Sequence, residues 1–166
     1  MRAEFLKPAT WDFYKPIEID IVKKNEHLLH KIFPETYKQL MCKFNGGTLS
    51  KLCMFKIKDY PYSLSIDSFC SLKGGGGFYS DADFSEYYSE MHYYYLNPPE
   101  GFPKGVIIFG GEGCGDFVGF DYRSNPNTDN PPIVYWKHDA EPGKDVFFVA
   151  NSFDEFLDML HPYSEE

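Results

Sequence analysis

Apolar and polar positions along this chain alternate with a helical period at both ends and a strand period between them. From Ile17 to Phe33 the apolar residues recur at helical spacing, with Ile17, Ile21, Leu28 and Ile32 on one line and Val22 and Leu29 beside it. Pro34-Glu35-Thr36-Tyr37 opens a second helix, because proline suits the first turn and Glu35 favours its positive end. Tyr37, Leu40, Met41 and Phe44 then follow as a buried stripe, and Asn45-Gly46-Gly47 closes the helix. Beyond Leu49 the period changes. Met54 to Lys58 and Tyr62 to Asp67 alternate as two strands around a turn at Asp59-Tyr60-Pro61.

Gly74 to Gly77 predicts an irregular loop, and a third helix is expected over Asp83 to Leu96. Its stripe of Phe84, Tyr87, Tyr88, Met91, Tyr94 and Tyr95 reads as a core face, with an exposed binding face as the alternative. Asn97-Pro98-Pro99 breaks that helix. Short strands are then expected at Val106 to Phe109, Asp116 to Tyr122, Ile133 to Trp136 and Val146 to Val149. A final helix starts at Ser152, with Glu155 completing a capping box and Phe153, Phe156, Leu157 and Leu160 as its stripe. The class is therefore α+β. One domain is expected, a mainly antiparallel sheet of short strands with helices at both chain ends and one mid-chain helix.

Length agrees with one domain, since 166 residues can bury about 70% of their unfolded surface. Aromatic residues, 31 of the 166, supply a large contact area for that core. No apolar run is long enough to span a bilayer and the N-terminus does not read as a secretion signal, so a cytoplasmic protein with no membrane partner is expected. Cys42, Cys53, Cys70 and Cys114 form no Cys-x-x-Cys pair, and the histidines flank none of them, so neither a metal nor a disulfide framework is expected.

Charge changes the picture more. Residues 1–58 carry 11 basic and 6 acidic side chains, whereas residues 59–166 carry 5 and 19. The net charge of −9 argues against direct nucleic-acid binding, which needs cations to replace phosphate counterions. The same acid would attract a basic protein, or would simply keep the chain soluble.

Local motifs offer little chemistry. Gly110-Gly111-Glu112-Gly113-Cys114-Gly115-Asp116 lacks the dinucleotide spacing and the Lys of a phosphate loop, and its carboxylates would repel phosphate. It reads as a reversal between two strands. Cys114, His138 and Asp139 could form a nucleophilic set on paper, but no nucleophile elbow surrounds them. No catalytic residue and no cofactor is expected.

Phe33-Pro34-Glu35-Thr36-Tyr37 with Phe44-Asn45-Gly46-Gly47 resembles the "Leu-Pro-x-x-Tyr … Asn-Gly-Gly" signature of the SUKH superfamily, in its Smi/Knr-type branch. Gly111 to Asp116 resembles the Gly-rich turn of that family, and Ile133 to Asp139 its "Val-Tyr-x-Trp-Asp-His-Glu" strand. Ala150 to Leu157 is similar to its closing "Ser-Phe-x-x-Phe-Leu" helix. Phe33 replaces the usual Leu, Lys137 replaces a frequent acid, and the segment from Ser71 to Pro99 is unusually rich in Tyr. The resemblance covers about residues 17–160. It implies an α+β domain that binds another protein without catalysing a reaction. For bacterial members that partner is typically a toxin, often a nuclease, which makes an immunity protein (antitoxin) the leading expectation. A regulatory scaffold of the fungal cell-wall type, or an enzyme or small-molecule domain with a non-local site, is the alternative. A basic toxin domain would meet the acidic second half, with Glu112, Asp116, Asp121, Asp139 and Glu141 as contacts and Tyr122, Tyr135 and Trp136 as aromatic anchors. For Trp136 and Asp116 the favoured reading is structural, with Trp136 in the core and Asp116 fixing the turn.

Overall fold

The computed structural model describes residues 2–12, 14–74 and 89–164. A short helix α1 (Arg2–Phe5) and a 3-10 turn (Pro8–Thr10) precede β1 (Trp11–Asp12). Then come α2 (Ile19–Leu29), α3 (Glu35–Phe44), β2 (Gly47–Phe55), β3 (Leu64–Phe69) and α4 (Glu90–Leu96). The chain continues through β4 (Val106–Gly111), β5 (Phe117–Asp121), β6 (Ile133–Trp136), β7 (Val146–Ala150), α5 (Phe153–Met159) and β8 (His161–Pro162). The strands form one antiparallel sheet in chain order from β1 to β7, and β8 pairs with β2. The α+β architecture follows the sequence pattern.

Side chains alternate across the sheet and so divide it into two faces. Ile107, Phe109, Val118, Phe120 and Tyr135 point toward the helices. There Tyr37 of α3 and Phe153 of α5 meet the Phe120 ring with centroids 5.0 and 5.8 Å away. Phe117 and Trp136, directly paired, stack 6.2 Å apart on the opposite face. That second face is only partly covered. Tyr94 of α4 lies 5.1 Å from Phe117 and Phe102 lies 5.2 Å from Trp136.

Several boundaries differ from those expected. The first long helix stops at Leu29 because His30 takes the left-handed conformation, φ 52°, and bonds back to Glu26 and His27. Its buried face is Val22, Asn25 and Leu29, while Ile32 is exposed. Strand β2 starts at Gly47 and ends at Phe55, earlier than the Met54 to Lys58 pattern implied. Gly46 sits at φ 71°, where an added Cβ would lie 2.6 Å from two carbonyl oxygens, those of Phe69 and Cys70. Of the expected helix over Asp83 to Leu96, residues 83–88 lie outside the described residues, as do Gly75 to Gly77. In the described part Met91 and Tyr94 are buried and Tyr93 and Tyr95 are exposed. Of the described stripe residues, Met91 and Tyr94 therefore belong to the core and Tyr95 does not.

A polar clamp joins α2, α3, β3 and α4. The Asn45 carboxamide accepts from the backbone N–H groups of Leu72 and Lys73, both at 3.0 Å, and donates to the Lys73 carbonyl at 2.8 Å. Asn25 donates to the Leu72 carbonyl and accepts from the Ser89 hydroxyl. The fully buried Glu90 carboxylate accepts from the Ser71 N–H at 3.0 Å. Buried polar groups are affordable because they satisfy one another.

Candidate functional site

The turn between β4 and β5 carries a dense cluster of polar side chains. Gly115 sits at φ 94°, and the His138 ring packs over it, 3.6 Å from where a Cβ would stand. Asp116 is buried and acts as a staple across the sheet end. Its Oδ1 accepts from the His138 backbone N–H at 3.0 Å and meets His138 Nδ1 at 2.7 Å. Its Oδ2 accepts from the Tyr135 hydroxyl at 2.8 Å, with Lys137 Nζ 3.8 Å away. Burial, reinforced by the Asp116 carboxylate, holds the Tyr135 phenol far above its ordinary range. The turn-fixing reading of Asp116 matches this geometry.

Lys137 pairs with Asp139 at 2.6 Å, and the bond raises the lysine pKa and lowers that of the carboxyl. Asp116, His138 and Asp139 offer ligand atoms within 4.8 Å of one another. A metal ion there would have to displace Lys137, which already supplies a positive charge to both carboxylates. In this turn Cys114 is exposed, and His138, just past β6, is oriented by Asp116 and not by the Asp139 of the paper triad. Glu112 accepts a hydrogen bond from the Ser65 hydroxyl of β3, a contact no local pattern announced.

The other candidates lie apart from this turn. Asp121 stands at the far end of β5, forked by Arg123 through two bonds of 2.8 Å. Burial opposes ionisation of Asp121, but the guanidinium outweighs it and its pKa is lowered. Glu141 is exposed and pairs with Lys144 at 2.8 Å. The three aromatic anchors expected at the surface are core residues. Tyr122 and Tyr135 are 1% exposed and Trp136 is 4% exposed. Their polar tips are taken up internally: Tyr122 donates to the Ile32 carbonyl, and Trp136 donates to Asp145 at 2.9 Å. Aromatic residues with a polar handle bury readily once that handle finds a partner. Of the eight residues expected to meet a partner, Asp139 and Glu141 are the fully exposed ones, and Glu112 and Asp121 are half-buried.

Surface grooves lie elsewhere. One of about 540 Å³ is lined by Leu29, Tyr94, Tyr95, Phe102 and Val106 with Lys31 and Lys104. Another, about 560 Å³, is lined by Asp121, Val134, Asp145, Val146 and Phe148.

The model of the SMI1/KNR4 family (SUKH-1) matches residues 16–159, nearly the whole chain. The chain belongs to the SMI1/KNR4 (SUKH-1) family. Among curated proteins it is similar to the SPbeta prophage-derived uncharacterized protein YokK of Bacillus subtilis (strain 168). The two are 24% identical over 150 residues, covering 84% of this chain and 72% of YokK. No helix of the described residues is long and apolar enough to cross a membrane.

Proposed function

We propose that this SUKH-1 chain is a non-enzymatic, cytoplasmic protein-binding domain, an immunity protein that neutralises a basic toxin by covering it with acid. One observation carries the reading most directly. The segment from Glu112 to Asp145 holds seven acids and three bases, and it exposes Asp139 and Glu141 beside the stapled turn, each in an ion pair with a neighbouring lysine. Asp116 uses its charge inside the fold and ties that turn to Tyr135 and His138, which lowers the ordering cost of the carboxylates that follow His138. A nuclease attracts phosphate with a basic cleft, and an acidic surface seated there excludes substrate. Family membership and the resemblance of bacterial members to toxin antidotes support the same partner class. His138 is held by Asp116 on an exposed turn away from the grooves, an arrangement that suits a structural imidazole better than a proton carrier.

The test is capture from the source cell's lysate at low and moderate salt, followed by expression of each captured protein with and without this chain. A basic protein that arrests growth, and whose toxicity this chain relieves, is the expected result. Capture of a basic protein that is not toxic would overturn the immunity role and leave protein binding standing.

A further inference from the structure

Strand β7, Val146-Phe147-Phe148-Val149-Ala150, ends the sheet, and among the described residues it pairs with β6 alone. Among the described residues its other side is unpaired, an open edge. The Lys137 N–H donates to the Asp145 carbonyl at 2.9 Å, which fixes the phase of the ladder. Hydrogen-bonded and outward residues alternate in an antiparallel pair. Val146 and Phe148, opposite Trp136 and Val134, therefore turn their N–H and C=O groups away from β6. Exposed edges are normally blunted by lysine, proline or a very short strand. None of the five residues of β7 is charged or proline, and Phe148 at the strand's centre is 57% exposed.

The face beside this edge is also unfinished. The segment that covers Phe117 and Trp136 reaches the groove only at Gly101 and Pro103. The remaining floor is Val134, Val146 and Phe148, with Asp121 and Asp145 set into it. Its cation is already spent, because Arg123 is forked onto Asp121. Lys144, at the strand's entry, is paired with Glu141. Asp145 is held by Trp136 and by the Gly143 N–H, and Glu155, just past the strand, is held by Asn151; among the described residues neither is paired with a cation. The edge thus asks for backbone, the floor for an apolar side chain, and the rim for positive charge.

We infer that β7 is a docking edge that accepts an extended, basic segment of the partner as an added antiparallel strand, with an apolar side chain seated in the groove beside Phe148. Main-chain bonds to Val146 and Phe148 supply the register, and alternate side chains of the incoming strand meet either the groove or the carboxylates. The identity of the partner rests on the protein-binding reading above; the chemistry of the edge does not. A second copy of this chain is a poorer occupant, since antiparallel pairing of two β7 strands would bring the Asp145 end of each toward the Glu155 end of the other.

The experiment uses the full chain and a short synthetic peptide alternating lysine with valine and phenylalanine. Amide hydrogen exchange is read at Val146 and Phe148. Protection that rises with peptide is expected, with affinity falling at least tenfold for the same peptide N-methylated on alternate residues and for the Phe148→Lys chain. Equal binding of the methylated peptide, or of a glutamate counterpart, would overturn strand addition. Protection that rises with the chain's own concentration, without peptide, would overturn the choice of occupant. The two readings separate cleanly. A toxin lost on Glu141→Lys but retained by Phe148→Lys sinks the docking edge and leaves the protein-binding role. Peptide protection at β7 with no toxin captured does the reverse.

Discussion

At the junction of α2, α3, β3 and α4 the chain ties the Asn25 and Asn45 carboxamides, the Ser89 hydroxyl, the Ser71 hydroxyl (which accepts from the Glu90 N–H) and the Glu90 carboxylate into one network. At β7 it leaves a strand edge and a phenyl ring in water. Both regions are built of short elements, and the difference lies in what the backbone does with its polar groups. In the clamp, side chains satisfy main-chain donors that neither a helix nor a strand can reach. At β7 the outward donors wait for something that is not part of the described chain. A signature such as Asn-Gly-Gly therefore marks closure, and the surfaces left for partners are those where closure is incomplete.

The largest expected effect comes from breaking the clamp. Gly46→Ala drives a Cβ onto two backbone carbonyl oxygens 2.6 Å away at a φ that disfavours it. A loss on the order of 3 kcal/mol of unfolding free energy is expected by urea denaturation. The staple comes next. Asp116→Ala leaves the Tyr135 hydroxyl and the His138 N–H without their acceptor. It should cost about 2–3 kcal/mol by chemical denaturation. The open corner should behave oppositely, because Phe148→Lys replaces an exposed ring and should leave stability within about 0.5 kcal/mol. A large destabilisation there would mean the corner is closed after all.

The smallest effect is on pH dependence. Arg123 lowers the pKa of Asp121 in the folded chain below its unfolded value. Its contribution is therefore complete above the unfolded carboxylate pKa, near 3.9, and is lost as pH falls through the lower folded value. Both partners reach solvent, so the effect should stay below about 1 kcal/mol. Asp121→Asn should shrink the stability difference between neutral and acidic urea melts by that amount; an unchanged difference would remove Asp121 from the account.

Much of the fold was legible because the relevant signals are local. α3 with its Pro entry and glycine exit, β6, and the Ser152 cap of α5 lie where pattern and capping place them. The buried face of α2 was not legible, since Asn25 is buried by a bond to Leu72, 47 residues away. β1 and β8 are two residues each, too short to show alternation. Tyr122, Tyr135 and Trp136 look like surface anchors until Ile32, Asp116 and Asp145 claim their polar tips. The open edge has a signal that can be read afterwards. Adjacent Phe147 and Phe148 cannot both face one side of a strand, so one of them must leave the helix-covered core.

The most direct test of the central claim is growth rescue against the captured basic protein, comparing this chain with its Glu112→Lys/Glu141→Lys variant. Rescue by the former and its loss in a variant that still folds is the predicted result. Undiminished rescue by the variant would contradict an acidic neutralising surface at this turn.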